Sequence, residues 1–116
     1  MDDLTTKFAR RAVACDNWRW VEGMLAIRIH DGTRHRVTNK TRSTVDNKGW
    51  LPVIYDPATK GCILDIIRDE LGGLARAVPQ RVGRWAVVMG VTGHMVVADY
   101  RTEGKALVAG LEATNG

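Results

Sequence analysis

Residues 15–24, CDNWRWVEGM, place two tryptophans one residue apart around Arg19. In an extended chain Trp18 and Trp20 project to one side and Arg19 to the other. The pair follows an amphipathic stretch and precedes an apolar run, a position where large rings seal a helix against a sheet. Tryptophan beside arginine is also what binding hot spots use. Trp18, Arg19 and Trp20 are therefore candidate binding residues as well as candidate mortar.

A second chemistry is electrostatic. The net charge is +4, and residues 28–48 alone carry that excess: Arg28, Arg34, Arg36, Lys40, Arg42 and Lys48 stand against Asp31 and Asp46. Arg76, Arg81 and Arg84 form a second cluster, expected in a loop. Clustered cations attract anionic partners over long range. They also protect a sheet edge from pairing with other chains. Arg28, His30, Arg34, His35, Arg36, Lys40 and Arg42 are the candidate residues of this surface, which would serve phosphate contacts if nucleic acid were the partner. Stacking on bases needs interleaved aromatics, and this segment has none before Trp50.

Other chemistries find no footing. A metal would have to use His30, His35, His94 and Asp31, with neither paired-cysteine nor helical histidine spacing to hold it. Cys15 and Cys62 fall on apolar sides of expected helices, where a thiol has no base beside it. They read as reduced, small apolar residues. ELGGLARAVPQRVGR contains glycines but is neither a phosphate loop nor a dinucleotide fingerprint. Asp65 and Asp69 lie on the wet side of a helix. The expectation is a binding protein rather than an enzyme, with no cofactor and no metal.

These residues need elements to position them. At 116 residues the chain is long enough for one domain, 1–116, with a core that needs no staples. No run approaches the length of a membrane span, and MDDLTTKFARR lacks the apolar stretch of a secretory signal. The expected location is cytoplasmic. Leu4, Phe8, Ala12 and Cys15 recur at helical spacing over 3–16, with Ala9 and Val13 on the flank. Residues 24–39 form a hairpin, with Asp31-Gly32 as a two-residue turn. Leu25, Ile27 and Ile29 then share a face with Arg34 and Arg36. The second strand is too polar to be central. Residues 40–49 are expected to be a mobile loop, and WLPVIY a short strand limited by Pro52.

Asp56-Pro57 starts a helix that Gly72-Gly73 stops. Ala58, Cys62, Ile63, Ile66, Ile67 and Leu71 form its apolar face, and it should be the best-buried helix. Residues 84–100 form a second hairpin around Thr92-Gly93, with both strands central, Trp85 opposite Tyr100 and Val87 opposite Ala98. Thr102 caps a last helix that packs through Leu107, Val108 and Leu111. The fold class is α+β: an antiparallel sheet built from two hairpins with three helices packed on it.

The segment DPATKGCILDIIRDELGG, with NWRWVEGML before it and TEGKALVAGLEA after it, resembles a family of short uncharacterised proteins encoded by tailed bacteriophages and prophages. The resemblance covers about a third of the chain and transfers no residue's role. It implies a phage product in a bacterial cytoplasm. The expected mode of action is binding to a host or phage protein, as an accessory or counter-host factor, possible homo-oligomer included. The alternatives are a nucleic-acid-binding accessory protein and a small-molecule binder with a pocket near Trp18, Trp20 and Pro57. No membrane partner is expected.

Overall fold

Local signals set the helices. The computed structural model describes residues 2–46 and 49–114. Helix α1 spans Asp3–Val13; the carboxylate of Asp2 accepts the Thr5 amide at 2.7 Å, and Arg10 and Arg11 sit in the last turn, where cations suit the dipole. It buries Thr5, Phe8, Ala9 and Ala12. Leu4 is exposed rather than part of the stripe, because the buried face is centred on Thr5, Phe8 and Ala12. The helix stops at Val13, short of Asp16.

Two sheets form instead of one. The first contains β1 (Leu25–Arg28), β2 (Arg34–Arg36) and β3 (Trp50–Pro52) in the order β2-β1-β3, all antiparallel. Leu25 pairs with Arg36 and Ile27 with Arg34. The connection is therefore the four residues Ile29–Gly32, not a two-residue turn. The Gly32 amide donates to the Arg28 carbonyl at 2.8 Å, and the Asp31 side chain accepts the Thr33 amide at 3.0 Å. That side-chain turn competes with the tight one. The shift is an even number of residues, so the faces stay as expected, although Ile29 leaves the ladder. β2 is an exposed edge. Residues 40–49 are not simply a loop, since a short helix α2 spans Arg42–Val45 and buries Val45. Asn47 and Lys48 lie outside the described residues.

Helix α3 (Pro57–Leu71) follows β3. Asp56 caps it by accepting the Thr59 amide at 3.0 Å, and Gly72 ends it at φ +95°. Ile63, Ile66 and Ile67 are buried; Ala58 is exposed, because it falls in the first turn beyond the packed neighbours.

The second sheet is β4 (Arg76–Pro79), β5 (Trp85–Met89) and β6 (His94–Tyr100), in the order β4-β5-β6. β4 falls where a loop was expected, so Arg76 lies in a strand. β5 alone is central; β6 is an edge. Trp85 faces Tyr100, but Val87 faces Val97 rather than Ala98, because register shifts interrupt the ladder on both sides of Val87. Such irregularities also make an edge a poor template for another strand.

Helix α4 (Glu103–Thr114) starts where the Thr102 hydroxyl accepts the Lys105 amide at 3.2 Å. It packs against α1, α3 and every strand of the second sheet. Gly104 and every residue from Ala106 to Leu111 are buried, so α4, not α3, is the best-buried helix. Close approach explains its glycines: a Cβ on Gly104 would run into the Ile54 carbonyl oxygen, and one on Gly110 would come within 3.3 Å of Ile67 and Val87. The architecture of the described residues is thus α+β, with two three-stranded antiparallel sheets and four helices. No helix among the described residues is long and apolar enough to cross a membrane.

Candidate functional site

The tryptophan segment lies between α1 and the first sheet. Trp20 is 7% exposed and packs in the core, while Trp18 is half-buried. Their rings meet edge to face, 5.3 Å between centroids at 84°. The indole N–H of Trp18 is buried and, among the described residues, has no hydrogen-bond acceptor, a rare condition that calls for a cause. Arg19 pairs with Asp69 of α3.

Trp50, from β3, comes to the same place. Trp18, Trp20 and Trp50, with Val13, Ile29, Val45 and Leu51, line a cleft of about 540 Å³. Arg10, Arg19 and Asp46, the residue that caps the end of α2, also line it. Among the described residues Arg10 forms no ion pair, so its charge is free to act. The volume falls in the range of ordinary ligand sites. The rings are supplied by segments far apart in sequence, and no spacing in the chain announces Trp50, Arg10 or Val45 as partners of Trp18. Pro57 does not line the cleft; α3 begins where Asp56 turns toward Arg36.

The basic hairpin is only partly available to an anion. Arg28 donates to Asp31, with contacts of 3.1 and 2.9 Å, and lies over the Trp50 ring at 5.4 Å. Arg36 makes a two-pronged contact with Asp56 at 2.7 and 3.3 Å. Arg34 donates to the Tyr55 hydroxyl at 3.0 Å. Asp31 is held well below the usual carboxylate range, first by the Thr33 amide and then by Arg28. Asp56 is lowered first by Arg36. Lys40 and Arg42 are exposed and make no ion pair among the described residues. His35 stacks obliquely on Trp50, 5.3 Å between centroids. His30 comes within 3.7 Å of Asp31, a contact that is ionic only when the ring is protonated.

The thiols are poor nucleophiles. Burial raises both Cys15 and Cys62 above the ordinary thiol value, so each is protonated at neutral pH. Cys15 donates to the Arg11 carbonyl at 3.4 Å. Among the described residues no group of three or more His, Cys, Asp or Glu gathers to hold a metal.

No protein-family model, curated protein or solved structure matches the chain.

Proposed function

We propose that the protein acts by binding, and that the tryptophan cleft seats a segment of a partner protein. The observation that carries this reading is the convergence of Trp18, Trp20 and Trp50 beside Arg10 in a cleft of about 540 Å³. Aromatic side chains next to a cation suit an apolar side chain carrying or adjoining a carboxylate. A small turn of the Trp18 ring would give its N–H an acceptor on the occupant. The partner is a host or phage protein, and the setting is the cytoplasm of a bacterium carrying a phage or prophage, on the strength of the three-segment resemblance.

The first hairpin supports nucleic acid less well, because Arg28 and Arg36 are occupied by Asp31 and Asp56. Binding through the cleft is tested by parallel affinity capture from nuclease-treated bacterial extract with wild type, Trp18→Ala and Arg10→Glu. A partner retained by wild type and lost from both variants, then confirmed by calorimetry with the purified proteins, is the expected result. Capture unchanged by both substitutions removes the cleft from the reading.

A further inference from the structure

We infer that the turn between β4 and β5, together with Arg101, is a second binding surface, and that it grips the phosphodiester backbone of nucleic acid. Arg84 donates its amide to the Arg81 carbonyl at 3.1 Å, which makes Val82 and Gly83 the central pair of the turn. Their φ angles are +22° and +67°, the signs of a type I′ turn. That turn takes asparagine, aspartate or glycine at its first central position. A β-branched side chain there is an outlier. Val82 is also 97% exposed, so burial does not offset the strain.

The strain is not isolated. Among the described residues Val82 and Asp99 are the two non-glycine positions with positive φ. They share one corner, because Gln80 accepts the Asp99 amide at 3.0 Å and donates its own amide to the Arg84 carbonyl at 2.7 Å. Strained backbone that does nothing for the core points toward a function.

The chemistry of the corner says which function. Val82, Gly83, Arg84 and Arg101 line an open hollow of about 400 Å³, and Arg81 is exposed beside it. Among the described residues none of Arg81, Arg84 and Arg101 forms an ion pair. The nearby acids do not quench them: among the described residues Asp99 makes no ion pair, and Glu103 pairs with Lys60 at 3.5 Å. Guanidinium forks match phosphate oxygens in geometry and charge. Two of them on one hollow, with Arg81 next along the chain, suit a run of phosphates, spaced about one charge per 1.7 Å of duplex axis. A lipid surface fits less well, since the tip offers one valine and no exposed tryptophan or tyrosine to anchor it. Val82 is left to press on a sugar or a base. This surface does not depend on the cleft.

The test is anisotropy of labelled mixed-sequence DNA, single strand and duplex of about 20 units, at about 50 and 200 mM salt. The expected result is salt-sensitive binding. Arg84→Gln with Arg101→Gln should weaken it at least about tenfold and lower the salt slope by roughly 2, near 0.9 per lost phosphate contact. Val82→Asn should raise the melting temperature, because it suits the turn, while weakening binding severalfold. Arg34→Gln with Lys40→Gln should change affinity less than twofold or so. No binding of either DNA in dilute salt overturns the proposal, as does full affinity in a folded Arg84/Arg101 variant. Retention on anionic lipid vesicles or polyglutamate without DNA binding overturns it as well. Arg101→Gln alone, with its melting curve, guards against a fold defect in the double variant.

Discussion

Trp18 and Trp20 differ in environment although one residue separates them. Trp20 is sealed in the core, so Trp20→Ala should cost about 3–5 kcal/mol. Trp18 is half-buried and meets Trp20 edge to face. A pair of this kind is worth about 1 kcal/mol beyond its area, so Trp18→Ala should cost roughly 1–2 kcal/mol. Denaturant midpoints of the two variants check this. Equal losses would mean the two rings form one plug, and would leave Trp50 as the one tryptophan of the three to serve the cleft. The cysteines supply a chemical counterpart. Cys15 and Cys62 are protonated at neutral pH because burial raises both. Alkylation of the native protein at pH 7 should therefore be far slower than after denaturation, followed by mass spectrometry. Rapid native labelling of Cys62 would contradict its placement against the Glu22 carbonyl.

Helix α3 is held to the first sheet by a relay of polar contacts. Arg36 bonds Asp56; Asp56 accepts both the amide and the hydroxyl of Thr59; the Thr59 oxygen accepts the Leu25 amide at 2.8 Å. Asp56 is acidified in the fold, so its stabilisation is complete above the unfolded carboxyl value of about 4 and fades as pH falls through the lower folded value. Denaturant midpoints against pH should fall on acidification below about pH 4 in wild type and fall less in Asp56→Asn. Parallel acid limbs would assign the acid loss to other carboxyls, Asp2 and Asp31 among them. Ile66→Ala, in the buried face of the same helix, should cost about 2–5 kcal/mol; a loss under about 0.5 kcal/mol would contradict that burial.

The boundaries of α3 are legible because Asp56, Pro57 and Gly72 act locally. The β4 segment RAVP carries no such mark: it is short, ends in proline, and is a strand because β5 lies beside it. The two-residue turn at Asp31-Gly32 fails for a similar reason, since the Asp31 side chain captures Thr33 instead. Trp18 and Trp20 stand out in sequence, but the cleft does not, because Trp50 reaches them only through the pairing of β1 with β3.

At the scale of the molecule, the sheets are separate yet the core is one. The buried cluster runs from Trp20, Met24 and Leu51 beside the first sheet, through Leu107, Val108 and Leu111 of α4, to Ala75 and Val87 beside the second. Polar ties follow the same route: Arg11 of α1 binds Glu112 of α4, and Lys60 of α3 pairs with Glu103. Neither sheet has enough strands to bury both its faces by itself: α4 packs on the second, and the first joins the same core through α1, which packs on both β3 and α4. The two halves should therefore unfold together. The chain carries its own reporters, with Trp18, Trp20 and Trp50 in the first half and Trp85 in β5. Replacing Trp85 with Phe leaves fluorescence to the first half; replacing the other three leaves it to the second. Within each variant, the fluorescence and far-ultraviolet dichroism midpoints should coincide in urea. Gly104→Ala should then lower both reporters' midpoints together, because its Cβ would strike the Ile54 carbonyl where α4 enters the shared core. A second-half reporter that melts apart from the dichroism, or a Gly104→Ala effect confined to one reporter, would divide the chain into two independently stable halves.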